Sequence, residues 1–100
     1  MLLKDKIATV TGGSAGLGRA VVEGFVAQGA KVIVAARTEA GRDGGMPVVE
    51  AINAKTPGMA KFVKCDVSQT SDLQVAVDAA EDWGGLDIMV NNAGILEKEP

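Results

Sequence analysis

The sequence has no histidine and no tyrosine, and only one cysteine. Without histidine or tyrosine, no side chain stands ready to protonate a carbonyl oxygen near neutral pH. A lone Cys65 excludes a disulfide within the chain and suits a reducing compartment. Free cysteine is usually a small, buried, apolar side chain, and Cys65 is expected in that role rather than as a reactive thiol. Long apolar runs are missing too. Met1, Leu2 and Leu3 meet Lys4, Asp5 and Lys6 at once, a start that fits neither a signal peptide nor a membrane span. The expectation is a cytoplasmic protein with no membrane partner. No basic cluster stands out and the net charge is −3, so nucleic acid is not an expected partner. Internal repeats, low-complexity tracts and linkers are also absent.

What is present is an alternation of two periodicities. Apolar residues make up 47% of 100 residues, enough for one small globular domain over residues 1–100 that buries roughly two-thirds of its unfolded surface. Residues 6–11 form a short β-branched run that stops at Gly12 and Gly13. Across residues 16–29, Leu17, Ala20, Val21, Gly24 and Phe25 recur at helical spacing, and Gly29 marks the stop. Residues 31–37 read as a second strand. Residues 59–67 read as a third, with Lys61 and Lys64 placed as on a sheet edge. A helix capped by Ser68 or Ser71 runs to about Trp83, with Leu73, Ala76, Val77 and Ala80 on one face and Asp72 near its start. Residues 86–90 form the fourth strand. Residues 38–57 are the least regular. Gly41, Gly44 and Gly45 predict a loop to about Met46, and Pro47 then takes the first position of a short helix that buries Val48, Val49 and Ile52.

Strands that alternate with helices predict a three-layer α/β fold with a parallel sheet, right-handed crossovers limit the strand order, and the doubly wound order 3-2-1-4 is expected for the four strands. That order reverses between the first and fourth strands. A crevice opens there at the carboxyl ends of the strands, where ligands bind in such sheets. At its lip lies Thr11-Gly12-Gly13-Ser14-Ala15-Gly16-Leu17-Gly18. Glycines let the main chain approach a ligand closely. The helix that follows points N–H groups and a partial positive charge into the turn, which suits a diphosphate. Ser14 offers a hydroxyl donor besides. A glycine cluster says little alone, but one that follows a strand and opens a helix is in the required context.

The spacing T-G-x-x-x-G-x-G, together with Asn91-Asn92-Ala93-Gly94 after the fourth strand, resembles the short-chain dehydrogenase/reductase family over nearly the whole chain. Asp66-Val67 and the strand Leu86-Asp87-Ile88-Met89-Val90 match further family elements. The resemblance implies a Rossmann-type half-fold, cut off on the side of the fourth strand, that binds a nicotinamide dinucleotide. In complete members it implies hydride transfer between NADP(H) or NAD(H) and a carbonyl or alcohol. It gives Gly12, Gly16 and Gly18 the phosphate turn, lined by Ser14 and Leu17. Asp66 would accept from the adenine amino group and Val67 would bind through its backbone. Asn92, Ala93 and Gly94 would lie along the ribose and the approach to the nicotinamide, while Asn91 ties strands together.

Cofactor choice rests on the end of the second strand, where NAD-binding members of this fold place an acid. Here it reads Ala35-Ala36-Arg37-Thr38. Arg37 offers paired, charge-assisted hydrogen bonds to a 2′-phosphate, Ala36 leaves room, and Thr38 adds a hydroxyl. NADP is therefore expected over NAD. Glu39 stands close by, Arg42 lies in the irregular loop, and Ala15 occupies a position where some NADP-preferring relatives carry a second basic residue. The family's catalytic Ser, Tyr and Lys have no counterparts here, so the expected catalytic set is empty and the chain alone is expected to be inactive. Three readings stay open: the cofactor-binding half of an oxidoreductase, a freestanding nucleotide-binding module, and a structural or interaction remnant. An uncovered fourth strand also predicts marginal stability and self-association through the sheet edge.

Overall fold

The computed structural model describes residues 2–12, 16–37, 46–66 and 68–91. β1 is Ile7–Thr11, and every one of its residues is buried. α1 follows over Gly16–Ala27 and β2 over Lys31–Ala36, buried from Val32 onward. Strands buried on both faces lose the alternation of polar and apolar residues, as in the middle of a parallel sheet. The chain turns between α1 and β2 at Gly29, whose φ of 98° suits glycine.

α2 is Val48–Lys55, with Val48, Val49 and Ile52 buried as expected. Pro47 sits one position earlier than predicted, at the N-cap. Its φ of −56° and ψ of 140° are not helical, yet its carbonyl accepts the first helical bond from the Ala51 N–H at 3.0 Å. β3 is Ala60–Lys64, shorter than the expected 59–67. Its partner β2 ends at Ala36, and the last bond across is Cys65 N–H to the Ala36 carbonyl at 2.9 Å.

The third helix departs further from expectation. α3 covers Thr70–Asp78 and then tightens into a 3-10 segment over Ala79–Trp83, which closes on Gly84 with φ 109°. Gln69 is its N-cap, without a side-chain bond, so neither Ser68 nor Ser71 caps it. Ser68 instead gives both its N–H (2.9 Å) and its hydroxyl (2.7 Å) to Asp66 Oδ1. β4 is Ile88–Asn91, beginning two residues and ending one residue later than predicted. Asp87, just before it, bonds with Ile7 in both directions: its N–H donates to the Ile7 carbonyl (2.8 Å) and its carboxylate accepts the Ile7 N–H (2.9 Å).

The sheet order is β3-β2-β1-β4, all parallel, which is the doubly wound order expected. Ala8, Val10, Val32 and Val34 pack with Val22 of α1 and with Val48, Val49 and Ile52 of α2 on one face. On the other face, Ile7 and Ile33 meet Ala80, while Ala35 and Cys65 meet Ala76. Two helices thus cover one side, and α3 with its 3-10 extension covers the other. Among the described residues, no helix is long and apolar enough to cross a membrane.

Candidate nucleotide-binding site

β1 lies between β2 and β4, so the crossovers leave in opposite directions at its carboxyl end and the chain parts there. Two glycines shape that end. Gly12, directly after β1, has φ 67°, and Gly16, the first residue of α1, has φ 59°. A Cβ at Gly16 would meet no atom within 4 Å, so the backbone angle, and not crowding, favours glycine there. The Gly12 N–H is spent on the Ala35 carbonyl at 2.7 Å. Gly12 therefore contributes its backbone angle, and its N–H pins the turn beside the end of β2. The opening N–H groups of α1 have no acceptor within the helix. They carry its partial positive charge, and this end fits a diphosphate. Gly18 is buried, and Leu17 is 57% exposed at the rim. Ser14 lies outside the described residues.

Across the crevice, Thr11 and Asn91 are register partners on β1 and β4. The buried Thr11 hydroxyl is shared between Asn91 Oδ1 (3.1 Å) and the Val90 carbonyl (3.3 Å). The expected tie between strands is present, with Thr11 as its donor. Asn92, Ala93 and Gly94 lie outside the described residues.

The end of β2 meets the end of β3. Arg37 Nη2 donates to Asp66 Oδ2 at 3.5 Å, with the Arg37 side chain 76% exposed. The two residues named separately from the sequence thus come together. Bonds from the Ser68 hydroxyl and N–H, with a smaller contribution from the Arg37 charge, hold the Asp66 carboxyl below its ordinary value. The Asp66 N–H in turn donates to Asp72 Oδ2 at 2.9 Å. Burial, then the Asp72 and Asp66 carboxylates, push the Cys65 thiol up, which disfavours the nucleophilic thiolate. Arg37, Lys64, Cys65, Asp66 and Asp72 line one open cavity of about 510 Å³. Lys64 and Asp72 were not singled out as site residues from the sequence. The signal that could have found Lys64 is register, since it pairs with Ala36, the residue before Arg37. Thr38 and Val67 lie outside the described residues.

A four-stranded doubly wound parallel sheet with a glycine turn at its reversal point defines the class of protein. The family model for short chain dehydrogenases matches residues 6–100, and the chain belongs to that family, whose members use NAD(P) dinucleotides. It is 41% identical to tropinone reductase-like 1 of Erythroxylum coca, over 95% of this chain and 33% of that protein. It is 37% identical to galactitol 2-dehydrogenase of Agrobacterium fabrum, over 100% of this chain and 37% of that protein. Among solved structures, a hydroxysteroid dehydrogenase from Escherichia coli superposes with a TM-score of 0.75 at 32% identity, covering 89% of this chain and 37% of that one. A short chain dehydrogenase from Bacillus anthracis gives 0.71 at 31% identity, covering 90% and 35%. The chain spans about a third of the length of these relatives.

Proposed function

We propose that the chain binds NADP(H) and forms the cofactor-binding part of an oxidoreductase acting on a carbonyl or alcohol. The observation that carries this reading is the pairing of two features at one end of the sheet: the glycine turn opening α1, and Arg37 where β2 ends with no acid on Ala35, Ala36 or Arg37. The amides at the start of α1 bind the diphosphate. Arg37, exposed and held at one edge by Asp66, turns its remaining N–H groups to the 2′-phosphate. By the family resemblance we assign Asp66, Val67 and Thr38 to the adenosine end of the dinucleotide, and Asn92, Ala93 and Gly94 to its ribose and nicotinamide side. Thr11 and Asn91 keep β1 and β4 in register beneath it. When bound, the nicotinamide supplies two-electron redox chemistry. A buried, unpaired Cys65 suits a reducing, cytoplasmic setting. The β4 edge, with Met89 42% exposed, is the surface through which we expect self-association.

Fluorescence titration with NADPH and NADH tests the reading. Arg37→Ala should weaken NADPH by roughly 1.5–3 kcal/mol, the range for a charged hydrogen bond, and leave NADH nearly unchanged. Equal losses for both cofactors would show that Arg37 does not read the phosphate.

A further inference from the structure

The cavity at the ends of β2 and β3 is lined by two cations and two carboxylates: Arg37, Lys64, Asp66 and Asp72. Three of the four already have partners. Asp66 Oδ1 accepts twice from Ser68, and its Oδ2 accepts from Arg37. Asp72 Oδ2 accepts the Asp66 N–H. The charge of Arg37 is therefore partly met by a carboxylate before any ligand arrives. The ion pairs among the described residues are Arg19–Glu23, Arg37–Asp66 and Lys61–Asp82, and Lys64 takes part in none of them. Lys61, on the same strand, lies over the Trp83 ring at 4.5 Å, so the two lysines of β3 have different surroundings. Lys64 is also fixed in place by register. Its partner across the sheet is Ala36, one residue before Arg37, and the Cys65 N–H bonds the Ala36 carbonyl at 2.9 Å just beyond it.

We propose that Lys64 is a second determinant of NADP(H) preference, supplying from the neighbouring strand the charge that Arg37 shares with Asp66. This rests on the reading that the chain binds NADP(H) with Arg37 at the 2′-phosphate. A lysine is a compact charge on a flexible stem, and it adds attraction without requiring the planar fit that a guanidinium makes. Lys64 beside Arg37 in one cavity makes a two-cation site. Because the side chain is exposed, its contribution is modest and screened by salt.

The test is titration of the whole chain with NADPH, NADH and 2′,5′-ADP at low and moderate salt, for the wild type, Lys64→Gln, Lys64→Arg and Arg37→Ala, with far-UV circular dichroism as the control for folding. Lys64→Gln should weaken NADPH and 2′,5′-ADP about fivefold, as expected for a partly exposed charge. It should also flatten their dependence on salt and leave NADH unchanged, and Lys64→Arg should restore most of the loss. If Arg37→Ala selectively weakens NADPH but Lys64→Gln does not, the Lys64 inference fails and the NADP reading stands. If Lys64→Gln weakens NADH as much as NADPH, Lys64 does not read the phosphate and the inference again fails. A wild type that binds no nucleotide, or does not prefer NADPH, overturns both.

Discussion

Along β1 and β2 every side chain from Ile7 to Thr11 and from Val32 to Ala36 is buried, whereas Arg37 and Asn91, at the carboxyl rim of the same sheet, are exposed. The interior is held mainly by apolar contacts, with the buried Thr9 hydroxyl donating to the Ala76 carbonyl at 3.5 Å. The rim is held by single polar bonds: Gly12 to Ala35, Thr11 to Asn91, Arg37 to Asp66, Asp66 to Asp72. A change in the interior should therefore alter stability and spare ligand choice, and a change at the rim should do the reverse.

The largest expected effect is in the interior. Ile33 is fully buried in β2, and Ile33→Ala should cost about 3 kcal/mol by the usual scale for core truncations. Denaturant melts measure this, and the NADPH/NADH affinity ratio of the folded fraction should not change. Gly16→Val comes next. A β-branched residue at φ 59° costs about 1–2 kcal/mol, and forcing the turn open should weaken both dinucleotides by about tenfold, the worth of one charged hydrogen bond. Equal binding by this variant and the wild type would show that the turn does not hold the ligand. The smallest effect is that of Asp66. Its folded carboxyl lies below the ordinary 3.8, so the stabilisation it gives is present above that value and disappears as pH falls through the lowered one. Asp66→Asn should remove the part of the rise in urea midpoint that wild type shows as pH increases to about 4, lowering the midpoint slightly at neutrality and leaving it unchanged at the most acid end, a small effect because the pairing is at the surface.

The same division decides what could be read in the sequence. The interior announces itself locally: β-branched runs such as Ile7-Ala8-Thr9-Val10 and Val32-Ile33-Val34 need no partner to be recognised as strands, and their alternation with helices implies a parallel sheet, of which β3-β2-β1-β4 is one doubly wound order. The glycine turn and Arg37 are local signals too. What escaped were bonds between residues far apart in the chain or displaced by a few positions. Ser68 looks like a helix cap, but the Asp66 carboxylate lies within reach of both its N–H and its hydroxyl and takes them. Lys61 reads as an edge lysine until Trp83 is brought beneath it. Lys64 becomes a neighbour of Arg37 only when β3 is laid beside β2 in register.

The measurement that bears most directly on this account is a 15N NMR titration of the whole chain with NADPH, following the backbone amides one by one. The amides of Gly16, Leu17 and Gly18 should move most and in step with saturation, with Arg37 and Lys64 following, while the interior amides of β1 and β2 hold still. Shifts that leave those three amides untouched, or that gather on the outer faces of α1 and α2, would contradict it.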